Sequence, residues 1–150
     1  QIGSIKFVRK PDGETVTNSS TLQDDDDLYF TIGANETWEL FAQLDADNNN
    51  GCGAKMKVAV TIPSGTLHVY AYVVNNDADG DDGDWLTSSG AASPNFELNG
   101  DDEQGPVQLH GLIVGGSTGG TVKIRWAPHT SSSSSVTVHT NSYLKATRVE

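Results

Sequence analysis

The sequence predicts an all-β domain: an antiparallel β-sandwich of about nine strands, jelly-roll-like in topology. Three observations predict it. Apolar residues recur at every second position in several segments, as a half-buried antiparallel strand requires. Turn-forming Gly, Pro, Asn and Asp separate those segments, and the chain holds 16 glycines. No stretch carries a convincing helical period.

The elements follow in order. Residues 5–8 form the first strand signal, closed by the turn Pro11-Asp12-Gly13. Asp24-Asp25-Asp26-Asp27 then precedes the strand 28–32; four consecutive carboxylates read as a solvated turn that also blocks edge-to-edge pairing. Residues 37–44 set Trp38, Leu40, Ala42 and Leu44 on one face, and residues 55–62 do the same with Met56, Val58, Val60 and Ile62. After the turn Pro63-Ser64-Gly65, residues 67–74 carry Leu67, Val69, Ala71 and Val73 opposite Tyr70, Tyr72 and Val74. Apolar groups on both faces predict a central strand, or one covered by a neighbouring subunit. Residues 75–95 read as a long acidic loop carrying Trp85. Strands 107–114 and 121–127 are expected to join through a hairpin turn, Gly115-Gly116-Ser117-Thr118-Gly119-Gly120. The serine run 131–135 reads as a hairpin tip before the last strands, 136–139 and 143–149.

Length and composition bound the rest. At 150 residues the chain suits a single domain spanning 1–150. Its net charge of −11, from 9 Lys plus Arg against 20 Asp plus Glu, repels phosphate backbones and anionic lipid, so neither nucleic acid nor a membrane is expected as partner. Cys52 is the sole cysteine, which excludes an intrachain disulfide and reads as a small structural residue. No apolar run approaches the ~18 residues of a membrane helix.

Few constellations promise chemistry. The four histidines, His68, His110, His129 and His139, lack metal-ligand spacing, and no serine sits in a GxSxG elbow. No carboxylate pair stands out for acid–base work, so no enzyme is expected. Asp77, Asp79, Asp81 and Asp84 alternate with small residues, a spacing that lets several oxygens converge on calcium, the one cofactor the residues suggest. Asp45-Ala46-Asp47-Asn48-Asn49-Asn50-Gly51 looks similar; both loops fail the EF-hand pattern. Trp38 and Trp126 alternate with core residues and are expected inside. Trp85, with Tyr70 and Tyr72, is the candidate surface for a partner protein or a sugar ring.

Two segments carry a resemblance. Asn18-Ser19-Ser20-Thr21-Leu22-Gln23-Asp24-Asp25-Asp26-Asp27-Leu28, followed by Ala34-Asn35, opens the first. The second holds Gly120-Thr121-Val122-Lys123-Ile124-Arg125-Trp126-Ala127 and, later, Asn141-Ser142-Tyr143-Leu144. Together they resemble a structural domain of bacteriophage virions, whose pattern has an N-S/T-T-L-Q-x-D-D-D-L opening, a late G-T-V-x-x-x-W-A-Q and a closing G-S-Y-L. Here Pro128 stands for that Gln and Asn141 for that Gly. The resemblance implies a module of the virion surface, commonly a homotrimer, with capsid or other virion proteins as partners. It supplies no catalytic residues. Capsid decoration is the first expectation, because the chain is short and has no coiled-coil shaft. A head or tail fibre, or receptor-binding, module is the second. From a different class comes a calcium-dependent carbohydrate-binding or adhesin sandwich facing a host surface glycan.

Overall fold

Alternation in the sequence becomes alternation in burial. Along Thr37–Asn48, Trp38, Leu40, Ala42, Leu44 and Ala46 are buried, while Glu39, Phe41, Gln43, Asp45 and Asp47 face outward. The computed structural model describes residues 1–48, 55–73, 83–98, 105–129 and 135–150, of Glu97 the backbone alone. These form β1 (Ile5–Arg9), β2 (Glu14–Thr17), β3 (Gln23–Ile32), β4 (Thr37–Asn48), β5 (Lys55–Thr61), β6 (Gly65–Val73), β7 (Gly83–Leu86), β8 (Phe96–Glu97), β9 (Gly105–Gly115), β10 (Gly120–Pro128), β11 (Ser135–Val138) and β12 (Tyr143–Arg148). All nine expected strands are present. The three additional ones, β2, β7 and β8, span four, four and two residues, too short for a periodic signal.

The strands make two antiparallel sheets. The larger has eight strands, ordered β1-β12-β4-β9-β6-β7, with β11 beside the far half of β4 and β2 beside β11. The smaller runs β3-β10-β5-β8. From β1 to β5, leaving aside β2, successive strands alternate between sheets, and so do β8, β9, β10 and β12. That alternation is the double-wound swirl of a jelly roll, with the β6–β7 hairpin added at one edge. It also corrects two expectations. The strands on either side of the serine run, β10 and β11, lie in different sheets and form no hairpin, while residues 131–134 themselves lie outside the described residues. Residues 116–119 do not close a hairpin, because β9 and β10 lie in different sheets and the segment arches over the sandwich edge. Backbones crowd at that edge: Gly65 has φ +106°, and a Cβ there would fall 2.0 Å from the Val114 carbonyl oxygen, so only glycine fits.

One continuous core lies between the sheets. Leu40, Leu44, Leu109, Ile113 and Leu144 from the large sheet meet Val58, Val60, Ile124 and Trp126 from the small one. Each such side chain contributes about 1.5–3 kcal/mol by leaving water. Trp38 and Trp126 are both buried.

The acidic run is not a solvated turn. Asp24–Asp27 lies inside β3, at a bulge: Lys123 pairs with Tyr29 but Arg125 pairs with Asp24, so five steps on β3 oppose two on β10. The surplus turns Asp25 inward. Its Oδ1 accepts from Lys10 Nζ at 3.0 Å and from the backbone N–H of Leu28 at 2.9 Å, and its Oδ2 accepts from Trp126 Nε1 at 2.9 Å. Lys10 is only 1% exposed, and its ammonium also reaches Glu14 at 2.9 Å and Asp27 at 3.2 Å. Burial pulls the lysine pKa down, but the hydrogen bonds it donates to Glu14 and Asp25 and their charges outweigh it, leaving the group pushed up to about 12. Three carboxylates thus converge on an ammonium rather than on a metal.

The closing segment joins the same knot. The Lys10 N–H donates to the Ser142 carbonyl at 2.7 Å, and Ser142 Oγ accepts from the Asp45 N–H at 2.9 Å. Asn18, Asn35 and Asn141 have φ of 55°, 58° and 71°, the left-handed region that glycine enters freely and that Asn tolerates better than most residues. Pro128 ends β10, where its missing N–H costs least.

Candidate functional site

Sheet geometry sends alternate residues of the large sheet to solvent, and on this sheet many of them are aromatic. Registers across six strands align one row: Phe7 of β1, Lys145 of β12, Phe41 of β4, His110 of β9, Tyr70 of β6 and Trp85 of β7. A parallel row runs Arg9, Tyr143, Gln43, Gln108 and Tyr72. On the other side lie Ile5, Thr147, Glu39, Leu112 and His68. Phe7 is 63% exposed and Trp85 48%. The outer face of the small sheet is different in kind, presenting Asp24, Thr31, Lys57, Thr61, Lys123 and Arg125 around the single ring of Tyr29.

The rings form two groups. In the first, Phe7 stacks on Tyr143 at 5.6 Å, Tyr143 meets Phe41 at 6.0 Å, and Phe41 meets the His110 edge at 6.1 Å. In the second, His68 stacks on Trp85 at 4.1 Å, and Tyr70 touches Trp85 at 5.1 Å and Tyr72 at 5.9 Å. Between them runs a chain of amides. Tyr72 Oη donates to Gln108 Oε1, and Gln108 Nε2 donates to Gln43 Oε1 at 2.9 Å. The first group borders a hollow of about 280 Å³ lined by Glu39, Phe41, His110, Tyr143, Lys145 and Thr147. His110 Nε2 lies 3.4 Å from Glu39 Oε1 at its rim.

The residues singled out in the sequence divide. Tyr70, Tyr72 and Trp85 do come together, although Trp85 sits on the short edge strand β7 rather than in a loop. Gly83, paired with Tyr72, leaves room for the Tyr70 hydroxyl, which a Cβ would meet at 2.5 Å. Asp84 is exposed on β7, opposite Ala71. Asp77, Asp79 and Asp81 lie outside the described residues, as does Cys52. Of the second acidic segment, Asp45 and Asp47 belong to β4, and Asp47 Oδ2 pairs with His139 Nε2 at 2.7 Å. Among the described residues, no group of three or more His, Cys, Asp or Glu is arranged to hold a metal ion, and no helix is long and apolar enough to cross a membrane.

Sequence reading missed Phe7, Phe41, Gln43, Gln108, His110 and Tyr143 as members of this face. A signal existed. With Leu40 and Ala42 assigned inward, Phe41 falls on the side expected to be polar, and an aromatic there asks for an explanation.

No family model and no curated protein matches the chain. Among solved structures, one match is the CBM22-1–GH10 portion of the endo-1,4-β-D-xylanase 10B of Clostridium thermocellum in complex with xylohexaose, at 6% identity and a TM-score of 0.34, covering 98% of this chain and 28% of that one. Another is infectious bursal disease virus, Gt strain, at 12% identity and a TM-score of 0.21, covering 99% and 38%. The chain thus spans well under half the length of either. At these scores neither likeness carries an argument about the fold or the function.

Proposed function

We propose that the chain is a non-enzymatic structural module displayed on the surface of a phage particle, first as a capsid decoration protein and second as a head or tail fibre module. The observation that supports this is where the residues of the virion resemblance lie. Asp25 of the opening motif, Trp126 of the late motif and Ser142 of the closing motif meet around Lys10. What the pattern encodes is a rigid shell: its key polar groups are spent on holding two sheets together. A displayed module needs that shell, high solubility from acidic charge, and an outer face free to meet something else.

The test is antibody labelling of intact particles of the phage that encodes the chain. Regular labelling over the head supports decoration, and labelling confined to the tail supports the fibre module. No labelling of intact particles overturns the reading. Light scattering adds the assembly state: a trimer that persists in chelator is expected, and a monomer under all conditions counts against a self-assembling decoration protein.

A further inference from the structure

We propose that the outer face of the eight-stranded sheet binds a neutral oligosaccharide, laid across the strands from the Phe41–Tyr143 hollow to Trp85. Glycan recognition by this face does not rest on the virion reading, and calcium has no part in it.

The layout suits a sugar chain. Strands lie about 4.8 Å apart, so the four spacings from Tyr143 on β12 to Trp85 on β7 span about 19 Å, enough for several pyranose rings end to end. A pyranose has apolar C–H faces and a polar rim. The two ring groups offer surfaces for the former, one at each end of the row. Gln43 and Gln108 lie between them, with Glu39, Lys145 and His110 at the hollow, to hydrogen-bond the latter. The amides are held by Tyr72 and by each other, so little side-chain entropy remains to be lost on binding.

Charge selects the class of sugar. Within the three rows, Glu39 stands against Lys145 and Arg9, in a chain whose net charge is −11. Further along β4 the same face carries Asp45 and Asp47, and among the described residues of the three rows no cluster of cations is present to hold a sulfate, phosphate or uronate. The same charges argue against a second copy as the occupant. Interface cores are depleted of charged residues, whereas here Glu39 and Lys145 line the hollow and would be buried with it.

The test uses the whole 150-residue chain on a broad glycan array, followed by calorimetric titration with neutral hexaoses of several linkages in chelator. Binding to neutral glycans is expected, with Trp85→Ala and Tyr143→Ala, at opposite ends, each weakening it about tenfold or more. Trp85→Phe, which keeps a ring, should retain most of the affinity and guards against a folding artefact. Tyr29→Ala, on the other sheet's outer face, should leave affinity unchanged. Silence across the array overturns the proposal, as does binding confined to acidic glycans, or binding indifferent to both ring substitutions. So does an oligomer in which acrylamide no longer reaches the exposed tryptophan, since a second copy then occupies the face. A chain that binds glycan but labels no particle keeps this inference and sinks the virion reading; the reverse result does the opposite.

Discussion

Two regions of this molecule use the same kinds of residue to opposite ends. At Lys10 a lysine, the Asp25 carboxylate and a tryptophan are sealed from water: Asp25 joins β3 to β10 through Trp126 and to the β1–β2 corner through Lys10. Across the outer face of the large sheet, Lys145, Glu39 and Trp85 lie open, paired loosely or with other rings. The difference is burial. In the knot Lys10 and Asp25 have lost their water and depend on protein partners in its place, so the geometry is tight and the loss of either is costly. On the face water still competes, so each contact is worth little to folding, and the side chains stay available for a ligand.

The sharpest way to break this contrast is Lys10→Ala. It would leave the carboxylates of Asp25, Glu14 and Asp27 without their shared cation, and the buried member, Asp25, would carry most of the penalty. A loss of about 3–5 kcal/mol is expected in urea or thermal unfolding. A loss below 1 kcal/mol would mean that the knot is not a structural centre. Next comes Trp126→Phe, which removes the indole donor from a carboxylate that has no solvent access and leaves a small void. About 2–3 kcal/mol is expected. The two costs should not add, because both act through Asp25; a double variant that equals their sum would show that Asp25 does not couple them.

How much of this was readable in the sequence follows the same division. Period-two alternation located the long strands, because burial of one face dictates the pattern locally. It put Trp38 and Trp126 in the core for the same reason. The Lys10 knot was not readable, since Lys10, Asp25, Trp126 and Ser142 come from four distant segments and meet only through the jelly-roll crossings. Four aspartates in a row look solvated until a bulge in β3 gives one of them a place inside. The aromatic face was half readable. Tyr70, Tyr72 and Trp85 are close in the chain, while Phe7, Phe41, His110 and Tyr143 join them only by register across strands.

Acid separates buried charge from exposed charge. The hydrogen bond from Lys123 holds the Asp24 carboxyl below its ordinary value of 3.8, and the Gly33 N–H, with help from the Trp38 indole, does the same for Glu36 below 4.5. Both folded-state values are depressed, so their contribution is present above those ordinary values and is lost as pH falls through the lower folded ones. The variant Asp24→Asn with Glu36→Gln should therefore flatten the decline of Tm between about pH 5 and pH 2. Lys10 behaves the other way. Its value is raised, so its contribution is full below 10.5 and is lost only as pH rises through about 12. An unchanged acid limb in the double variant would transfer acid sensitivity to the other carboxylates.

The smallest effect is expected on the face itself. Trp85→Ala removes a half-exposed ring that stacks on His68 and touches Tyr70, contacts worth about 0.5–1.5 kcal/mol together. The ring caps a four-residue edge strand, so the loss should stay local: amide exchange should quicken in β6 and β7 and remain unchanged in β3 and β10. A drop as large as that of Lys10→Ala would place Trp85 among the residues that hold the fold, and the exposed rings would then need no ligand to account for them. A small and local drop leaves a half-exposed tryptophan that stability alone does not explain, and binding becomes the function left to test for it.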